Sequence, residues 1–161
     1  MGDPIPDLSV NVVKETGGKL GVQGGVSAAS LFKGKKSVLV GFPGAFTPTC
    51  TGTHIPAYIQ SLAAFAKKEV QVVGLAVNDA FVLREFHEDL KAGSMTFIAD
   101  GSGALTRGLD AGVDLTDKAL GYRTRRFAAI VVDGTVTAVY DEKGAGMTEL
   151  SQAESVLKSL E

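Results

Sequence analysis

Cys50 is the residue with the most chemistry to offer, and it is the only cysteine among 161 residues. It stands in the stretch Gly41–His54, GFPGAFTPTCTGTH, with prolines, glycines and threonines around it. Such turn-formers and hydroxyls suit a loop that leads into a helix. Thr47 is a good N-cap, and Pro48 fits the first helical position, where no N–H is needed. Cys50 then falls at the third helical position, where unpaired N–H groups and the positive end of the helix dipole favour an anion. A thiolate is such an anion. A free cysteine ionises near pH 8.5, and a helix N-terminus with nearby cations lowers this to roughly 3.5–7.5. Each unit is about 1.4 kcal/mol of preference for the charged form. Acidity alone does not make a catalyst, because nucleophilicity falls with pKa; donors aimed at the departing group are needed as well. The Thr47 hydroxyl and the backbone N–H groups around Cys50 are such donors. A cation would complete the site, and the segment GYRTRRF supplies Arg123, Arg125 and Arg126. Arg126 reaches Cys50 if the apolar run it opens lies beside the run that precedes the loop; spacing alone does not choose among the three.

The elements that must position these groups follow from the hydrophobic pattern. Ser37–Phe42, Val70–Val77 and Arg126–Val132 are nearly unbroken apolar runs, the signature of strands buried on both faces; Thr96–Ala99 is a shorter fourth. Leu8–Lys14 and Lys19–Val22, joined by a Gly-Gly turn, read as an N-terminal hairpin. Ser27–Phe32 is a short helical piece. Pro48–Ala66 carries Ile55, Ile59, Leu62 and Phe65 at helical spacing, and Pro56 should kink that helix. Ala80–Lys91 is a second helix, capped by Asn78 or Asp79. A helical connection is expected before Arg126. Asp133-Gly134 marks a two-residue turn into a strand over Thr135–Tyr140, and Leu150–Leu160 closes the chain as an amphipathic helix. The fold class is therefore α/β: a mixed central sheet flanked by helices, in the order of a thioredoxin-like fold with an N-terminal β-hairpin extension. Residues 1–161 are expected to form one domain. Ligands of open α/β sheets gather at the carboxyl ends of parallel strands, and Cys50 follows the first long strand at that end.

Composition narrows the functional classes. The formal net charge of −2 argues against a nucleic-acid binder, and no apolar run is long enough for a membrane helix. No signal-peptide pattern opens the sequence. A lone cysteine allows no internal disulfide and suits a reducing compartment. The expected location is the cytoplasm, or an organellar matrix after removal of a transit peptide.

The spacing Pro43-x-x-x-Thr47-x-x-Cys50 matches the peroxiredoxin signature, and GFPGAFTPTCTGTHIPAY resembles the peroxiredoxin 5 subfamily, which includes the plant type II enzymes. AVNDAFV, FIADGSGALTRGLD and LGYRTRRFAAIVVDG are similar to that subfamily too, so the likeness covers nearly the whole chain. The resemblance implies a thiol-dependent peroxidase that reduces hydrogen peroxide and alkyl hydroperoxides through a Cys50 sulfenic acid, with no metal or other cofactor. It assigns Arg126 to the thiolate and the peroxide oxygens, Thr47 to orienting both, and Pro43 to shielding the sulfur. The N–H groups of Thr49, Cys50 and the Gly44 turn become further donors to substrate. Many relatives carry a second cysteine where this chain has Gly74, and others carry one near the C-terminus. This chain has neither, so a one-cysteine cycle follows, reduced by an external thiol: glutathione with glutaredoxin, or thioredoxin. A homodimer is also implied, with the FPGAF segment near its interface.

Blander readings stand beside these. A single cysteine is usually a small buried hydrophobe. His54, one helical turn after Cys50, could be a metal ligand or the base of a cysteine hydrolase; with no second cysteine and His87 remote, it reads as structural or interfacial. Arg123 and Arg125 default to solvated or capping side chains. A redox sensor or chaperone-like protein with Cys50 as sensor thiol is the main alternative, and a cysteine hydrolase the lesser one.

Overall fold

The computed structural model describes residues 2–160. Its hairpin consists of β1 (Ser9–Thr16) and β2 (Lys19–Ser27). The long apolar runs form β3 (Lys36–Gly41), β4 (Val70–Ala76) and, near the end, β8 (Phe127–Val132). β5 (Thr96–Ala99), β6 (Gly112–Leu115) and β7 (Gly121–Thr124) lie between these, and β9 (Thr135–Asp141) follows. Seven strands form one mixed sheet in the order β2-β1-β5-β4-β3-β8-β9. The core of that sheet is parallel from β3 through β4 to β5, whereas β8 lies antiparallel to β3, with Gly41 opposite Phe127. That pairing is the neighbour relation on which an approach of Arg126 to Cys50 depends.

Alternation along β3 explains why both faces are covered. Val38 and Val40 face one apolar cluster, with Phe42, Tyr58, Phe65, Phe86 and Phe97; Leu39 faces the other, with Phe32, Leu75, Phe127 and Val131. Between β8 and β9 the chain turns on Asp133 and Gly134, whose φ angles of 48° and 80° are what a two-residue primed turn requires.

Three helical expectations are revised. Pro48–Ala66 is not one kinked helix. A wide π-type turn over Cys50–His54, closed by the Ile55 N–H on the Cys50 carbonyl, leads into α1 (Ile55–Gln60), and the chain breaks at Ser61 before α2 (Leu62–Lys67). Pro56 has no N–H to continue an α-helical ladder, and the turn ahead of it widens by one residue. α3 (Ala80–Leu90) is capped by Asp79, whose carboxylate accepts from the Val82 N–H at 2.9 Å. The expected helical connection before Arg126 is present only in part, as the short α4 (Ala104–Gly108); beyond it the chain forms the two-stranded ribbon β6–β7, outside the main sheet. Gly112 makes the ribbon possible, because a Cβ there would lie 2.1 Å from the Tyr122 hydroxyl. Finally, α5 spans only Ala153–Ser159. The residues before it are held out of the helix by the Glu142 carboxylate, which accepts from the backbone N–H and hydroxyl of both Thr148 and Ser151.

Candidate active site

The loop that follows β3 is pinned from three sides. A Cβ at Gly41 would sit 2.2 Å from the Phe127 ring, so only glycine lets β8 approach so closely. Arg123 on β7 donates from Nη1 to the Pro43 carbonyl at 3.1 Å, and Asn78, just past β4, accepts the Ala45 N–H at 2.9 Å. Arg123 is thus half-buried and structural rather than solvated. Pro43 and Gly44 are buried at this turn, and Thr49 is exposed in the first helical turn.

The Thr51 N–H bonds to the Thr47 carbonyl at 3.0 Å, which places Cys50 in the first helical turn as the sequence implies. The Thr47 side chain does not cap that turn. Its hydroxyl donates to the Gly44 carbonyl at 2.7 Å, because the turn over Ala45 and Phe46, with Phe46 at a φ of 63°, brings Thr47 back over that carbonyl. With its proton so engaged, the hydroxyl can offer only lone pairs to another group.

Cys50 is fully buried and belongs to the apolar cluster of β3 and α1. The turn-forming residues around it therefore build a cover, not an open loop. Its environment is nonetheless cationic. Arg126 is 2% exposed and places Nη2 3.2 Å from the Cys50 Sγ. Two more of its five N–H groups are committed as well: Nη1 lies 2.8 Å from His54 Nδ1, and Nε donates to the Ala145 carbonyl at 3.1 Å. Among the described residues that hydrogen-bond this guanidinium, Cys50 is the one able to become an anion, and a buried cation is costly without one. Arg125 points the other way, pairing with Asp141 at 2.9 Å. The structure thus selects one arginine of the three.

His54 is buried between two partners. Arginine has no acceptor, so Nδ1 accepts from Arg126, and Nε2 carries the proton and donates to the Ser151 carbonyl 3.1 Å away. Burial first, then the Arg126 charge, hold its pKa down at about 4. A neutral imidazole with both nitrogens occupied cannot act as base for Cys50, which removes the hydrolase reading. The Tyr58 hydroxyl donates to the same Ser151 carbonyl at 2.6 Å, and burial pushes its ionisation far up. Sequence reasoning foresaw His54 as structural but missed what it holds; its spacing of four residues from Cys50 was the available signal. Tyr58 repeats that four-residue spacing after His54, whereas Ser151, Glu142 and the Gly144–Ala145 carbonyls gave no comparable sign, since they come from a distant segment that only the fold brings near.

The chain is similar over nearly its whole length to known proteins. The Redoxin family model matches residues 1–157. The chloroplastic Peroxiredoxin-2E-2 of Oryza sativa subsp. japonica is 39% identical over 99% of this chain and 72% of its own length. Among solved structures, reduced Prx3 of Vibrio vulnificus in complex with H2O2 superposes with a TM-score of 0.85 at 32% identity, covering 99% of this chain and 98% of that one. The 1-Cys peroxiredoxin of Plasmodium falciparum gives a TM-score of 0.87 at 27% identity, with the same coverage.

Proposed function

This chain belongs to the peroxiredoxins, thiol-dependent peroxidases with a thioredoxin-like fold, and from that premise we propose that Cys50 is its peroxide-reducing thiol and Arg126 the cation that serves it. The observation that carries this assignment is the 3.2 Å contact between Arg126 Nη2 and the Cys50 Sγ in a buried site. The Cys50 thiolate attacks one oxygen of the peroxide in line. An S–O bond forms as the O–O bond breaks, sulfur is oxidised by two electrons to the sulfenic acid, and the departing oxygen takes a proton to leave as water or an alcohol. Arg126 donors stabilise charge on both oxygens during the transfer. The Thr47 hydroxyl accepts from the peroxide O–H, Pro43 covers the sulfur, and the N–H groups at Gly44 and Thr49 are further substrate contacts.

Cys50 is the only cysteine, so the sulfenic acid has no partner within the chain. An external thiol attacks it, releasing water and leaving a mixed disulfide, and a second thiol frees Cys50. Glutathione with glutaredoxin is the first candidate and thioredoxin the second. Hydrogen peroxide and small alkyl hydroperoxides are the proposed substrates; the Vibrio relative was solved with H2O2. Residues 1–161 are proposed to work as one domain, an arrangement supported by a sheet that uses strands from Ser9 to Asp141. A homodimer is proposed through the face bearing Phe46 and Phe81, which are 50% and 76% exposed. A reducing compartment, cytoplasm or organellar matrix, suits the free thiol; the rice relative is chloroplastic.

Peroxide consumption with glutathione, glutaredoxin and thioredoxin systems offered in turn tests this reading, with mass spectrometry of Cys50 after each. Turnover abolished by Cys50→Ser, with sulfenate or a thiol adduct on Cys50 in the wild type, is the expected result. A single stoichiometric reaction without turnover under any reductant favours the sensor instead.

A further inference from the structure

Arg126 stands just ahead of β8, outside any strand. Beyond β9 the chain runs on beside it: the Glu142 N–H donates to the Arg126 carbonyl at 3.0 Å, and the Arg126 N–H donates to the Gly144 carbonyl at 2.8 Å. The side chain is held by the same segment, directly through Ala145 and indirectly through Ser151, whose carbonyl fixes His54 against Nη1. Residues 142–151 thus form a strap that holds Arg126 at four points: two on its backbone, one directly on its guanidinium and one through His54. This strap has no regular secondary structure of its own to hold its shape. One side chain ties its two ends together, while the Asp141 carboxylate, which accepts the Lys143 N–H at 2.7 Å, steadies its start. The Glu142 carboxylate accepts four hydrogen bonds: from the Thr148 N–H (3.0 Å) and hydroxyl (2.6 Å), and from the Ser151 N–H (3.2 Å) and hydroxyl (2.8 Å). Those bonds tie the first residue of the strap to its last.

We infer that Glu142 is a positioning residue for peroxide reduction: by clasping Thr148 and Ser151 it closes the strap that aims Arg126 at the sulfur and the incoming peroxide. The inference rests on the assignment of Cys50 and Arg126 made above. Glu142 touches neither the sulfur nor the guanidinium side chain. It acts through the Ser151 carbonyl on His54, and through its own N–H on the Arg126 backbone. Charge matters as well as shape. Burial works to raise the carboxyl pKa, but the donors from Thr148 and Ser151 outweigh it and hold it below the usual range, so the clasp is ionised at neutral pH.

The test is Glu142→Gln, which keeps the volume but removes the charge: the three bonds made to Oε2 pass to a neutral oxygen, and the N–H₂ in place of Oε1 cannot accept from the Thr148 hydroxyl. Two rates are compared: oxidation of Cys50 by hydrogen peroxide, and alkylation of Cys50 by iodoacetamide. Peroxide reduction needs aligned guanidinium donors, whereas alkylation needs only a reachable thiolate. The expected result is a fall in the peroxide rate of about tenfold or more, as small misplacements of catalytic groups produce, with the alkylation rate falling much less and the far-ultraviolet circular dichroism unchanged. On an Arg126→Ala background, Glu142→Gln should add almost nothing, because the two act as one unit. If Glu142→Gln does not fold, the pair Thr148→Val with Ser151→Ala removes two of the four donors and should show the same change in the ratio of rates. An unchanged ratio in the folded variant, or full additivity with Arg126→Ala, overturns the inference. An Arg126→Ala protein with the wild-type peroxide rate overturns instead the assignment on which it rests.

Discussion

At Cys50 the charge that serves the reaction is in place before any substrate arrives. Arg126 spends three separate groups of donors on Sγ, His54 Nδ1 and the Ala145 carbonyl. A lysine cannot reproduce that planar fork. Arg126→Lys should therefore lower kcat/KM for hydrogen peroxide by about 10²–10³-fold, the usual effect of losing an anion-stabilising donor; stopped-flow oxidation under pseudo-first-order peroxide measures it. His54 yields a second prediction, on stability. Its pKa falls from an ordinary 6.5 to about 4 in the folded protein, chiefly by burial. The unfolded chain thus takes up a proton near pH 6.5 while the folded one refuses it until about 4, so stability is lost as pH falls through that window and levels off below it. The loss is on the order of 3 kcal/mol. The Asp141 and Glu142 carboxyls are themselves held low, against their burial, by donors that include Arg125, Thr148 and Ser151, and their losses come at still lower pH. His54→Asn keeps an acceptor for Arg126 and removes the titration. Urea denaturation at pH 7, 6, 5 and 4.5 should show a slope for the wild type and a flatter profile for the variant. The place of Cys50 in a first helical turn was legible in the sequence because a helix start has a local signature; the partner of the Thr47 hydroxyl was not, because it depends on the turn before it. The choice of Arg126 was not, because it depends on strand order.

The elements were readable wherever their pattern was long. Buried strands announce themselves as apolar runs, and β3, β4 and β8 lie where those runs are. The four-residue strands β6 and β7 carry too little pattern to separate from a helical connection, and the break at Ser61 has no proline or glycine to mark it. Long-range clasps also shorten elements unpredictably, as the Glu142 carboxylate does to α5. Gly74 shows how packing decides an element's chemistry. It lies within β4, where a Cβ would sit 2.5 Å from the Phe97 ring and 3.2 Å from the Met95 methyl. Phe97 and Met95 are both fully buried, so neither ring nor thioether can swing aside into solvent. The space that a side chain at Gly74 would need is thus filled by aromatic packing. Gly74→Cys should destabilise the fold by about 1–3 kcal/mol, the usual cost of overpacking a core. Thermal denaturation under reducing conditions measures this. A variant as stable as the wild type would mean that Phe97 has another place to go.

Across the whole molecule, a buried sulfur must be reached by two reactants of very different size. Hydrogen peroxide is scarcely larger than water and needs little opening. A thiol reductant needs a clear approach to the sulfur, yet Cys50 is 0% exposed. The π-type turn Cys50–His54 is the natural place for the site to open. Only Cys50 and His54 in it are buried, and a Cβ at Gly52 would meet nothing within 4 Å. Its widened ladder, forced by Pro56, is a weaker brace than an α-helical turn. The expected outcome is that a thiol reductant reacts only after this turn opens, at a limiting rate that the reductant does not set. The two halves of the cycle should then respond differently to concentration. Oxidation of Cys50 should rise linearly with hydrogen peroxide. Reduction of the sulfenic acid by glutathione should rise at first and then level off at the opening rate. Pre-oxidising the protein with one equivalent of peroxide and mixing it rapidly with increasing glutathione reads the second dependence directly. Pro56→Ala restores an N–H to the ladder and stiffens the turn, so its plateau should lie lower while the peroxide step is little changed. A reduction rate that stays linear in glutathione, identical in both proteins, would mean that the sulfur is reached without unwinding.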